Sequence, residues 1–182
     1  QSIIPPVADR QGALVGQGAA GLSLRRTGEA ARMAGEAPGG GIRFYAAMAT
    51  PAQEAVAQMH GDRRVGVHIR VMEWTPERMV AHTRYDPGLV LPRHSHGSDS
   101  LIYILDGEVE IGGRRCPAGT QIVLPKDAPI GPLVAGPGGC SFIESYAGDV
   151  ATSEMDQPAY RAMLAKRGIV PIPKAHLTPD GA

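Results

Sequence analysis

The stretch Gly88-Leu89-Val90-Leu91-Pro92-Arg93-His94-Ser95-His96-Gly97-Ser98-Asp99-Ser100 starts on a turn, ends at an apolar run and sets two histidines two residues apart. Asp86-Pro87-Gly88 signals the turn, because Pro presets one dihedral and Gly accepts the positive φ that other residues resist. An extended strand is predicted from Leu91 to His96. Side chains two apart on a strand share a face, so His94 and His96 can turn both imidazoles toward one ion. The same parity continues inward through Ser98, Ser100, Ile102 and Ile104.

Working outward, Leu101-Ile102-Tyr103-Ile104-Leu105 reads as a strand, Asp106-Gly107 as a two-residue hairpin turn and Glu108-Val109-Glu110-Ile111 as the return strand. Gly112-Gly113 and Cys116-Pro117-Ala118-Gly119 turn the chain again before a strand from Thr120 to Leu124, which ends at Pro125. Upstream, Val65 to Glu73 and Arg78 to Tyr85 read as strands around a Thr75-Pro76-Glu77 turn. Many short antiparallel segments with frequent turns predict an all-β jelly-roll barrel. Thr50-Pro51-Ala52-Gln53 combines a cap residue, Pro at the first helical position and Gln at the third, which predicts a helix of about nine residues ending before Gly61. A second helix is predicted from a cap at Thr152 or Ser153, carrying Met155, Tyr160, Met163 and Leu164 and stopping at Gly168. The segment Val170-Pro171-Ile172-Pro173 is expected to be extended, with His176 exposed beyond it.

These spacings resemble a known family. Gly88, five residues, His94-x-His96, three residues, Ser100, six residues and Gly107 are similar to the first cupin motif; Gly119, five residues and Pro125 are similar to the start of the second. Arg84-Tyr85-x-Pro87-Gly88 and the later Gly139-Cys140 resemble the branch that includes the cupin domain of zinc-binding anti-sigma factors and the acetylacetone-cleaving dioxygenases. The likeness covers about residues 65 to 147. It implies a jelly roll, a divalent transition metal (Zn, Fe or Ni) at His94 and His96, and a small organic molecule as substrate or ligand. It also implies Glu where this chain has Ser100, and Gly, His and Asn where it has Asp127, Ile130 and Val134.

Two imidazoles alone leave an ion underligated, so the metal reading needs a further donor. His82, Cys140 and Glu144 are candidates from the barrel strands, and Asp127 is a candidate from a loop over the barrel mouth; Asp99 has the wrong strand parity. Set against these, His82 can be a satisfied structural histidine and Cys140 a buried, inert thiol. Ser100 can hydrogen-bond a ligand or a bound water, and Ile130 cannot coordinate. Arg84, Tyr103 and Glu144 are candidates for orienting a substrate. Arg84 would grip an anion if it pointed inward, or else pair with Asp86 or Glu108.

The whole chain supports one core with extensions. Its 182 residues are 43% hydrophobic, and no apolar run approaches the roughly 18 residues of a membrane span. Eighteen basic and 18 acidic residues cancel, leaving no net field to draw in nucleic acid or an anionic membrane. The division expected is an arm over 1–45, a jelly-roll domain over 46–150, and a helix with an extended tail over 151–182. The arm ends in Pro38-Gly39-Gly40-Gly41, carries a candidate short helix at Glu29 to Met33, and is expected to pack on a partner subunit or on the barrel, hence a homodimer. Cys116 and Cys140 make no disulfide framework, which favours reduced thiols and a cytoplasmic setting. The first residue is Gln, so a preceding segment is expected to have been removed.

Three function classes follow. The first is a metal-dependent enzyme, dioxygenase-like or lyase/isomerase-like, acting on a small organic molecule. The second is a cupin that binds or senses a small molecule without turnover at a decayed metal site. The third is a structural dimer with its cavity filled by Ile102, Ile104 and Ile130. Fold alone does not choose among them.

Overall fold

The computed structural model describes residues 51–173. In chain order the strands are β1 (Gln53–His60), β2 (Arg63–Trp74), β3 (Met79–Tyr85), β4 (Val90–Leu91), β5 (His94–His96), β6 (Ser100–Ile111), β7 (Arg114–Pro117), β8 (Gln121–Leu124), β9 (Leu133–Tyr146), β10 (Thr152–Glu154) and β11 (Ile169–Ile172), with helix α1 (Gln157–Lys166) before the last. Nine of the strands form one antiparallel sheet, ordered β11-β1-β2-β3-β9-β6-β7, with β4 also on β9 and β8 also on β6. The remaining two, β10 and β5, pair with each other. This is the predicted all-β jelly roll.

Alternation of side chains explains where the core lies. Along β3, Met79, Ala81, Thr83 and Tyr85 are buried, while the residues between them face outward or are half-buried. Along the first half of β6, Ser100, Ile102 and Ile104 are buried and Leu101, Tyr103 and Leu105 are exposed. The inward sets meet in one core with Val65, Val67, Phe142 and Leu133, where Tyr85 and Phe142 pack edge to face at 4.9 Å. A smaller cluster of Val90, Leu164 and Ile169 seats α1 against the barrel.

Four elements differ from the sequence reading, three of them in the way the chain turns or pairs. Residues predicted to form the first helix are β1. Its Ala55 and Ala57 face the core, and its main chain is hydrogen-bonded to β2 on one side and β11 on the other. A helix cap contributes about 1 kcal/mol, which two ladders of bonds at about 1 kcal/mol each outweigh. Asp106-Gly107 is not a hairpin turn. Strand β6 runs through it, and the register against β9 shifts on either side of Gly107, so the positive φ of 70° serves a bulge. The hairpin comes at Gly112-Gly113, with φ of 58° and 86°, the signs a tight two-residue turn needs. The last helix begins at Gln157 rather than at Thr152 or Ser153, because Thr152 to Glu154 pair as β10 with His96 to His94.

The segment read as one strand from Leu91 to His96 is divided into β4 and β5. The Val170-Pro171-Ile172 segment is extended as expected, and it pairs with β1. The expected arm over 1–45, its Glu29 to Met33 helix and His176 lie outside the described residues.

Candidate functional site

The register of β5 determines where the two histidines go. His94 exchanges backbone hydrogen bonds with Ile130 in both directions, at 3.0 and 2.8 Å, and β10 lies on the other side with Glu154 opposite His94 and Thr152 opposite His96. Held between these neighbours, the imidazoles sit with ring centroids 5.0 Å apart at 86°. Both line a cavity of about 100 Å³ that opens to solvent beside the exposed Glu154. Val67, Ile69, Ile102, Ile130 and Leu133 make its walls apolar, and Thr83, Glu144 and Tyr146 form a polar cluster on them.

That cluster is linked by hydrogen bonds. The Thr83 hydroxyl donates to Glu144 Oε1, and the Tyr146 hydroxyl donates to Glu144 Oε2 at 2.8 Å. Burial lifts the Glu144 carboxyl above its ordinary range, and the two hydroxyl bonds oppose that rise without cancelling it. Tyr146 also packs edge-on against His96, with centroids 4.9 Å apart. Desolvation lowers both histidines. His96 falls to about 4, with the neighbouring His94 adding to the effect, so both rings are neutral at neutral pH.

The neutral state has a defined tautomer at His94. Its Nδ1 lies 2.9 Å from the Pro92 carbonyl, which can only accept, so Nδ1 carries the hydrogen and Nε2 keeps its lone pair. Deprotonated rings, with Nδ1–H held by a carbonyl, are what a metal-ligating imidazole requires. His96 Nδ1 and Ser100 Oγ are buried without a hydrogen-bond partner among the described residues. As donors for a metal, then, both imidazoles fit in charge state, and His94 fits in tautomer as well. No group of three or more His, Cys, Asp and Glu side chains is arranged to hold an ion among the described residues.

Of the other residues singled out from sequence as ligands, pocket groups or cavity fillers, Ile102, Ile130 and Glu144 line the cavity and the rest do not. Ile130 is buried and presents an apolar wall beside His94. Ser100 lies in the buried row of β6, opposite Tyr146. Arg84 projects to solvent and bonds Asp86 at 2.6 Å, the pairing weighed against an inward anchor. Tyr103 is exposed on the outer face of β6. His82 alternates out of register with Thr83, and burial together with Arg70 lowers its pKa. Cys140 is buried in the core away from the cavity lining, its thiol pushed up to about 12 by desolvation. Asp127 is exposed in the loop before Ile130, and its N–H donates to the His96 carbonyl.

Thr83, Tyr146, Thr152 and Glu154 line the cavity and were not singled out from the sequence. Strand parity carried a signal for two of them. Thr83 is two residues from Tyr85 on the inward row of β3, and Tyr146 is two residues from Glu144 on that of β9. Thr152 and Glu154 reach the site through β10, whose pairing had no local signature.

An antiparallel barrel with a His-x-His strand at its cavity defines a cupin. The sequence profile of the ChrR cupin-like domain matches residues 49–145, over half of the chain, and the protein belongs to that family. Among solved structures, the fold is similar to a Methylibium petroleiphilum PM1 protein for which acetylacetone dioxygenase activity is proposed, at 12% identity and TM-score 0.52, covering 65% of this chain and 83% of that one. KdgF from Halomonas sp. aligns at 21% identity over 64% of this chain and 96% of its own, with TM-score 0.47. An RmlC-like cupin from Shewanella frigidimarina NCIMB 400 aligns at 20% identity over 52% and 84%, with TM-score 0.41. Comparison with curated proteins gave no match.

Proposed function

We propose that this cupin takes a small organic molecule into the cavity and holds a divalent transition metal there on His94 and His96, with dioxygenase-like or lyase/isomerase-like chemistry. The observation that carries the reading is the histidine pair itself: two neutral rings at one end of an apolar cavity, one with Nδ1 committed to the Pro92 carbonyl. Such an ion would supply Lewis-acid chemistry when bound. Glu144, Thr83 and Tyr146 would orient the polar end of the substrate, while Ile102, Ile130 and Leu133 would exclude water from its apolar part.

A second reading, a binding or sensing cupin without a metal, is favoured by a different observation. Ile130 stands beside His94 where a further imidazole would complete a shell, and both Glu144 oxygens already accept hydroxyl hydrogens. Elemental analysis and zinc calorimetry on protein purified without chelator separate the two. The metal reading predicts near-stoichiometric zinc, iron or nickel, lost in both His94→Ala and His96→Ala, because one imidazole with weak oxygen donors cannot retain the ion. Full metal occupancy in either variant would refute the assignment of that histidine. A metal-free wild type that still binds a small molecule supports the second reading.

A second copy of the chain is the proposed macromolecular partner. The outer face of β6 supports it, with Leu101, Tyr103 and Leu105 exposed in a row beside Val123 of β8.

A further inference from the structure

We propose that the cavity selects an uncharged molecule of about five non-hydrogen atoms, with an apolar body and one amide or alcohol group that meets the Glu144–Thr83–Tyr146 cluster. The proposal rests on the cavity being the ligand site, as above, and does not require the metal.

Size gives the first limit. An apolar protein cavity of about 150 Å³ holds benzene, so the roughly 100 Å³ here takes a smaller group below its opening at Glu154. Charge gives the second. The ionisable side chains on the lining are His94, His96, Glu144, Glu154 and two tyrosines, with no Lys or Arg among them. Arg84, the nearest candidate from sequence for an anion anchor, is exposed and committed to Asp86. A carboxylate or phosphate entering this space would lose its water shell, gain no counter-charge from the protein and stand beside a buried carboxyl group.

A protonated amine is disfavoured for a different reason. It carries three donors and is costly to desolvate, while each Glu144 oxygen already accepts a hydroxyl hydrogen. An amide or alcohol is uncharged and brings one or two hydrogens, which the free lone pairs on the Thr83 and Tyr146 hydroxyl oxygens and on the Glu144 carboxyl can accept. The rest of such a molecule meets Val67, Ile102 and Ile130, which reward apolar surface without asking for any polar partner.

Three probes matched in size and differing in charge test this: propionamide, propionate and n-propylammonium. Each is titrated at neutral pH into methyl-labelled protein, both as purified and after chelator treatment. Metal content is measured separately, so that loss of the metal reading leaves this result standing. Propionamide is expected to shift the Val67, Ile102 and Ile130 methyl signals saturably in both preparations, and after chelator treatment to bind at least about tenfold more tightly than either ion. Ala55→Leu, which narrows the same cavity, is expected to weaken propionamide at least about tenfold. Propionate or propylammonium binding as tightly as propionamide in the chelator-treated protein overturns the proposal. So does the absence of a saturable shift at these methyls, or unchanged affinity in a folded Ala55→Leu. Where that variant does not fold, the native methyl shifts decide: changes confined to the outer residues Leu101 and Val123 overturn it equally.

Discussion

At the scale of single residues, the site combines two titrations that pull stability in opposite directions. Burial raises Glu144 above its ordinary 4.5, so the folded protein keeps a proton that the unfolded chain releases, and stability is lost as pH rises from 4.5 through the folded value. His96 is lowered from 6.5 to about 4, so the unfolded chain takes up a proton first on acidification, and stability is lost as pH falls through that window. Glu144→Gln removes the first effect and leaves the second. Its urea midpoint is therefore expected to rise with pH between about 4.5 and 6.5 more steeply than that of the wild type; parallel curves would show that Glu144 titrates as it does in the unfolded chain. The sequence made the histidine pair legible because parity within three residues decides it. Parity did less for Thr83 and His82, adjacent on β3, because both are polar and neither announces its face. The inward row became plain only once Ala81 and Tyr85 were known to be buried with Thr83.

Elements were legible where local pattern and long-range pairing agreed. Strands β2, β3 and β8 lie close to the segments read from alternation and turns, and the Gly112-Gly113 hairpin was marked by its composition. Strand β1 was misread because Thr50-Pro51-Ala52-Gln53 is a sound helix start in isolation, and of the two ladders that override it, one is with the neighbouring β2 and the other with β11, far along the chain. Gly107 was misread in a subtler way, since the positive φ was anticipated but assigned to a turn. In the bulge, a Cβ on Gly107 would lie 2.1 Å from the Gly139 carbonyl oxygen and 2.9 Å from Cys140 Cα. Both of those atoms are main chain, which cannot swing aside as a side chain would. Gly107→Ala is therefore expected to cost about 2 to 4 kcal/mol, combining a disfavoured left-handed conformation with overpacking. Chemical denaturation measures it, and a loss below about 0.5 kcal/mol, the level of an ordinary surface change, would mean that β6 and β9 separate more easily here than their register suggests.

At the scale of the whole molecule, the architecture was the most legible feature, because it depends on many turns and alternations that do not all have to be right. The chemistry was less legible. Where the family motif would have Glu and His, this chain has Ser100 and Ile130, and residues far apart in sequence line the cavity instead. The outer row of Leu101, Tyr103, Leu105 and Val123 makes its own prediction. Light scattering at micromolar concentration is expected to give a dimer, with Tyr103→Glu and Leu105→Glu together shifting it to monomer while leaving the circular dichroism spectrum unchanged. A monodisperse wild-type monomer would count against the pairing. One feature of the sheet also bears on how the chain is made. Strand β1, near residue 53, is flanked on one side by β11, which ends at Ile172, and β3 waits for β9. On the ribosome, one edge of β3 therefore leaves the exit tunnel unclaimed until β9 follows, and one edge of β1 stays so until more than a hundred further residues have been translated. The interval from β1 to β11 is thus the period in which the nascent protein most needs protection from pairing with its neighbours.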